Sequence, residues 1–284
     1  MSTPLSELPI RRLTHEDVVS CADLSENRGW PREDHKWGLL LTAGTGYGID
    51  DPDGKGLMAA SVLTSYGTGL AAIGMVLVAD RHARRGVGRR LMRHVLAEAG
   101  ETPLTLHATP NGQPLYEELG FATVGRAEMV KGHFTGTEPV PDVSTRPATA
   151  EDMAAVVRLD SEVFGVDRTR MIARLPAFAD QIRVAEENGE LIGYAAAWPN
   201  MATHVVGPLI ARDTPTAQAL VASLAAHTDR PLRTDIDVRH EELLCWLRRQ
   251  GLETIAFNAV MARAIPALPG DWTRRFAPLT VAAG

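Results

Sequence analysis

Apolar residues along this chain recur at two periods, and the places where one period gives way to the other predict its elements. Short runs that alternate or stay apolar, bounded by Gly, Pro, Asn or Asp, predict strands. In the first half they read PIRRL, GYGIDD, GLMAASVLTS, LAAIGMVLV, LTLHAT and ATVGRAEMV; in the second, STRPA, IRVAEEN, ELIGYAAAW, HVVGPLIA, LRTDIDV and ETIAFNAVM. The intervening DPDGKG and ENGE fit hairpin turns. Elsewhere the period lengthens. Val87, Leu91, Val95 and Ala99 stand four apart with Met92 and Leu96 beside them, a single helical stripe that Gly100 is suited to stop. Thr14 and Thr149 are good N-caps for helices after the first strand of each half, and Pro114 suits the first position of a short helix that Gly120 ends. Strands and helices in this order predict an α+β fold, a mixed α/β sheet with helices on its faces.

The two halves resemble one another. RRLTHEDV from Arg11 matches RPATAEDM from Arg146, IGMVLVAD from Ile73 matches VGPLIARD from Val206, and LGFATV from Leu119 matches QGLETI from Gln250. The nearly constant offset points to a duplicated unit. Between the halves, residues 134–146 are rich in Pro and Thr without apolar period and predict a linker. Two tandem domains are therefore expected, residues 1–138 and 139–284.

Composition narrows the function. With 284 residues, 45% hydrophobic and 23% charged, the chain is that of a globular protein. A formal net charge of −6 makes nucleic acid a poor partner, so any basic site must be local. Cys21 and Cys245 match no metal spacing and predict no metal site. The N-terminal MSTPLSELPIRRL has no apolar run of signal-peptide length, and no run approaches a membrane span. A cytoplasmic protein without membrane contact is expected, with a homodimer as one possible state.

One junction stands out. In MVLVADRHARRGVGRRLMRHVLAEAG a strand breaks into arginines and glycines and resumes as the amphipathic helix. A helix N-terminus offers free N–H groups and the positive end of the dipole. Gly86 and Gly88 let an anion approach the backbone, Val87 lies between them, and Arg84, Arg85 and Arg89 add charge. The loop is either a pyrophosphate cradle or a solvated basic turn. No GKS/T follows, which argues against a P-loop, and the triple-glycine Rossmann spacing is absent. The segment resembles the acyl-CoA-binding motif of the GNAT superfamily of N-acetyltransferases, Gln/Arg-x-x-Gly-x-Gly/Ala, with Ala83 in place of the first Gln or Arg. The resemblance implies that acetyl-CoA is the cosubstrate, with pantetheine along the strand around Val76 and Val78 and the diphosphate on residues 84–89.

A second segment, LTLHATPNGQPLYEELGF, resembles the family's xLYxxxGF helix and brings its tyrosine onto Tyr116. A phenol with an ordinary pKa near 10 keeps its proton at neutral pH and can give it to a departing thiolate. His107, in the strand before it, is either the base that takes the amine's proton or a pocket-wall histidine. Asn111 caps the tyrosine helix or orients its loop. In the second half the phosphate loop is shorter by four residues and keeps neither glycine pair nor arginine cluster, while Trp246 or Leu247 falls near the tyrosine's place. A degenerate second domain that closes the acceptor pocket is expected, with Asp235, Asp237 and His204 as candidate contacts for a cationic substrate. Trp30 and Trp37 could wall the acceptor in the first half; Asp23 and Glu26 read as a solvated face. The leading expectation is N-acetylation of a small-molecule amine; an acyl-CoA sensor and a protein lysine or N-terminal acetyltransferase are the alternatives.

Overall fold

The computed structural model describes residues 4, 5 and 7–284. The first half runs β1 (Arg11–Leu13), α1 (Val18–Asn27), α2 (Asp34–Ala43), β2 (Thr45–Asp50), β3 (Leu57–Ser65), β4 (Ala71–Val78), α3 (Val87–Ala99), β5 (Leu104–Ala108), α4 (Gln113–Glu118) and β6 (Ala122–Gly132). The second runs β7 (Thr145–Pro147), α5 (Met153–Phe164), α6 (Thr169–Ile172), α7 (Leu175–Phe178), β8 (Gln181–Glu187), β9 (Glu190–Asn200), β10 (Thr203–Ala211), α8 (Thr214–Ala225), β11 (Leu232–Asp237), α9 (Glu241–Arg249) and β12 (Glu253–Arg263). One short strand, β13 (Arg275–Ala277), was not foreshadowed by any apolar run.

The halves repeat each other down to single interactions. Arg11 holds Asp17 at 2.7 Å and Asp50 at 2.8 Å, and Asp17 closes a capping box with Thr14. Arg146 holds Asp152 at 2.7 Å and also Glu186, and Asp152 closes the same box with Thr149. The ENGE turn is a two-residue hairpin whose central residues, Asn188 and Gly189, both take positive φ (52° and 82°). Asn and Gly tolerate that region best, which is why this dipeptide fixes the β8–β9 register.

All strands join one sheet in the order β1-β2-β3-β4-β5-β12-β6-β11-β10-β9-β8-β7, with β13 added to β10. Each half's last long strand sits in the other's territory: β12 pairs with β5 and β6, and β6 pairs with β12 and β11. A cut at residue 138 divides the chain but not the sheet. On one face α3 and α4 pack over the first half through Leu91, Met92, Val95 and Tyr116, and α8 and α9 over the second through Leu220, Leu244 and Leu247. The opposite face carries one continuous core shared by both halves, with Trp37, Leu40, Phe164, Tyr194 and Trp198 in it.

Parallel neighbours splay apart in both halves. β4 pairs with β5 only at Ala71–Leu104 and Ala72–Thr105, and β10 with β11 only at His204–Leu232 and Val205–Arg233. In the second half β13 closes the gap, pairing Ala277 with Leu209 and Arg275 with Ile210. Residues 278–284 then cross the shared core. A Cβ on Gly207 would strike the Pro278 carbonyl, and one on Gly74, its counterpart in the repeat, would strike Ala282. Trp198 Nε1 donates to the Leu279 carbonyl at 3.1 Å, Tyr66 to that of Ala283, and Arg168 Nη1 to that of Gly284 at 3.1 Å.

Candidate active site at the splay of β4 and β5

Beyond Ala72 no strand among the described residues pairs with the β5-facing edge of β4. A bulge sits there: the β3 register shifts between Ala60 and Val62, and Met75 takes φ 52°. Bulges re-aim backbone groups. Val76 and Val78, half-buried, lie on this free edge with their N–H and C=O groups available to an extended polar chain.

The loop after β4 is pinned at one end and free at the other. Arg81 Nε and His82 Nε2 both reach Asp51, each at 2.7 Å, while the Asp80 backbone N–H donates to Asn27 at 2.9 Å. Arg84 and Arg85 stay exposed. Gly86 caps α3 with φ 79°, and a Cβ there would meet nothing, so its backbone conformation and not crowding calls for glycine. Gly88 is a matter of space: its Cβ would stand 3.3 Å from Val78, drawing helix and strand together. The first intrahelical donor is Arg90, to Gly86 at 3.0 Å, which leaves the earlier N–H groups unengaged. No acidic residue stands in that turn. Cations at the positive end of a helix dipole are unfavourable unless an anion joins them. These residues therefore fit a diphosphate. Arg89 is the exception among the expected contacts, because it is engaged in an ion pair with Glu118 of α4.

The corresponding end of α8 is already occupied. Asp213 accepts from the Thr216 backbone at 2.9 Å and its hydroxyl at 2.6 Å, so the second half supplies its own carboxylate where α3 leaves donors free. With β13 in the splay as well, neither the backbone edge nor the anion seat survives there. Trp246, near the place of the tyrosine, is buried and donates to the Pro139 carbonyl.

Tyr116 lies on α4 with its ring buried and set edge-on to Phe121 at 6.1 Å. Burial pushes its phenol up to about 12. The helix is capped by Gly112 with no side chain contributing, so Asn111, exposed, does not cap it, and Pro114 takes the second helical position.

His107 faces the other way. Leu106 and Ala108 of β5 pack with Tyr116, whereas His107 stands opposite Val260 of β12 on the shared-core face. The two residues thus approach the splay from opposite sides of the sheet. The ring meets the Val281 backbone; burial, helped by the Arg275 guanidinium, pushes its pKa down to about 4. The unfolded chain has an ordinary histidine near 6.5, so as pH falls from 6.5 to 4 it binds a proton that the folded state refuses. Folding stability is complete above pH 6.5 and declines below it, by up to about 3 kcal/mol for this one group. His107→Gln should therefore lose less melting temperature than the parent between pH 7 and pH 4.5; equal losses in the two proteins would refute the shift.

The remaining expectations divide. Trp37 is fully buried and donates to Ser25 at 3.0 Å, a core anchor, while Trp30 stays exposed. Asp23 and Glu26 bind Arg32 at the surface. His204 is engaged by Asp180 at 2.9 Å and Thr228 at 2.6 Å, away from the splay. Asp235 and Asp237 are buried on β11 and share a chamber wall with His107. Trp272, Arg275 and the 278–284 segment went unpredicted, although they cover His107. Their one trace in the sequence is a glycine at equivalent places in two strands, Gly74 and Gly207, where the segment passes.

Known proteins agree with this architecture. Two acetyltransferase (GNAT) domain models match in tandem, over residues 59–138 and 156–277. The uncharacterized N-acetyltransferase YitH of Bacillus subtilis (strain 168) is 30% identical over 236 residues, 82% of this chain and 83% of YitH. A Pyrococcus horikoshii protein assigned as an acetyltransferase superposes with a TM-score of 0.80 at 18% identity, covering 98% of this chain and 96% of that one. A tandem GNAT protein from the clavulanic acid biosynthesis pathway gives 0.64 at 16% identity, over 92% and 100% of the two chains. The duplicated sheet, the free β4 edge, the glycine-capped α3 and the relatives together show that this chain belongs to the GNAT acetyltransferase family, with two such domains in tandem.

Proposed function

We propose that this enzyme transfers the acetyl group of acetyl-CoA to the primary amine of a small molecule, using one cofactor site, in the first half. Acetyl-CoA supplies the activated thioester. Val76 and Val78 offer backbone hydrogen bonds to its pantetheine; Arg84, Arg85, Gly86, Val87 and Gly88 hold its diphosphate; Arg89 borders the site while bound to Glu118. Tyr116 keeps its proton at neutral pH and delivers it to the departing sulfur. His107, neutral at pH 7 and on the opposite face of the sheet, takes the proton that the amine sheds only in passing, since burial makes it a relay and not a store. The second half serves as a wall of the acceptor site and binds no cofactor.

The observation that carries this reading is the contrast between two equivalent helix ends: α3 with free donors and exposed arginines, α8 with Asp213 folded onto its own first turn. Titration calorimetry on the intact chain should give one CoA per chain, with Arg84→Ala and Arg85→Ala each weakening binding about three- to tenfold through a lost charge-assisted contact. Two CoA per chain, or none, would sink it. Thiol release with a panel of small amines identifies the acceptor.

A further inference from the structure

Beneath β13 lies a chamber of about 20 Å³, lined among others by His107, Asp235, Asp237, Trp272 and Arg275. That is room for one water. Three of its lining residues carry a buried polar atom without a partner among the described residues: His107 Nδ1, Asp235 Oδ1 and Arg275 Nη1. Arg275 is held in place by its stacking on Phe164 (3.7 Å) and Trp272 (4.0 Å), with no carboxylate among the described residues within ion-pairing distance. A guanidinium donor, a carboxylate acceptor and an imidazole nitrogen form the kind of three-partner set that buried waters occupy.

The polar groups continue from there. Arg233 Nη2 stands 3.7 Å from Asp235 Oδ2, and Arg233 Nη1 stands 3.7 Å from Glu33. Glu33 accepts from Asn200 at 2.8 Å and pairs with Lys36. Asn200 Oδ1 and Arg233 Nε also lack partners, so the run has further places for water. Glu33, Lys36 and Asn200 line a surface cleft of about 340 Å³ between the halves.

We propose that a water bound by His107, Asp235 and Arg275 makes this run the proton outlet of the enzyme, with Asp235, a residue of the half that binds no cofactor, positioning that water against His107. The inference rests on the acetyl-transfer reading above. An ammonium that becomes an amide loses two protons as the N–C bond forms and the C–S bond breaks. One ends on the sulfur, by way of Tyr116. The other must leave a base that the 272–284 segment covers, and the run gives it a path: from His107 to the chamber water, past Asp235, to the Glu33–Lys36 cleft. Asp235 is thus a positioning residue, and its presence accounts for a second half that has kept its fold without its cofactor site.

A high-resolution crystal structure of the full chain should show one ordered water within about 3.2 Å of the three atoms. With whichever amine of the panel turns over best, Asp235→Asn, which keeps the shape, should lower kcat about tenfold and raise its solvent deuterium isotope effect, with KM for acetyl-CoA unchanged. In Asp235→Ala, added formate should restore much of the lost kcat, as a merely structural defect would not allow. If the alanine variant does not fold, the asparagine variant and its isotope effect decide. An empty chamber, an unchanged kcat in Asp235→Asn, or a loss in a folded Asp235→Ala that formate leaves untouched would overturn the proposal. Failure of the wild type to acetylate any amine would instead overturn the function proposed above and leave the water to be judged from the crystal alone.

Discussion

Tyr116→Phe should reduce kcat by about two to three orders of magnitude while leaving CoA affinity within about twofold, the effect of removing a general acid from a site that is otherwise intact. The structure favours a clean experiment. The ring is buried against Phe121, which phenylalanine preserves, and the hydroxyl makes no hydrogen bond among the described residues, so the variant should melt with the parent. The direction of the pKa shift adds a second readout. Burial raises the phenol to about 12, so the acid is fully protonated across the range in which the enzyme can be assayed. No alkaline fall in kcat due to this residue should occur below about pH 10. Stopped thiol-release assays from pH 6 upward check both statements. A kcat within about threefold of the parent would remove Tyr116 from the chemistry.

The largest loss of stability should come from Arg168→Leu. Arg168 and Asp160 are both buried and meet through two hydrogen bonds, of 3.0 Å and 2.6 Å. Tyr194 donates to the same carboxylate, and the guanidinium lies 3.7 Å above the Phe164 ring. Removing the arginine alone strands a charge in the shared core, which costs about 3–5 kcal/mol. It also releases the Gly284 carbonyl, one of the anchors of the segment that covers His107. Replacing both partners, Arg168→Leu with Asp160→Leu, should recover a good part of the loss, because an apolar pair does not require solvation. Denaturant unfolding of the three variants beside the parent measures this; a single-variant loss under about 1 kcal/mol would show the pair to be dispensable.

What the sequence made legible follows from how local each signal is. The β4 loop could be read because Gly86 and Gly88 act within a few residues of where they stand: one by its backbone angle, the other by its closeness to Val78. The helix that carries Tyr116 was legible for the same reason, since Pro114 stands in its first turn and Gly120 follows its end. The duplication could be read in Arg11 and Arg146, whose partners lie six residues on. What escaped notice depends on distant chain. Nothing near Arg89 in sequence announces Glu118, and nothing near His107 announces Arg275, which arrives from a strand of three residues. Such a strand buries too little to leave a period; β13 forms because β10 presents an unpaired edge to it. The expected domain boundary divides the chain but not the sheet, because alternation reveals which residues face inward but not which strand stands alongside.

The position of β6 and β12 has an evolutionary consequence. Were the gene divided at the linker, β5 would lose β12, β6 would have no strand on either side, and both polypeptides would carry raw edges prone to aggregate. A duplicated domain can ordinarily be deleted. Here it cannot, since each half borrows part of its own scaffold from the other. The exchange of strands thus binds the two copies into one folding unit.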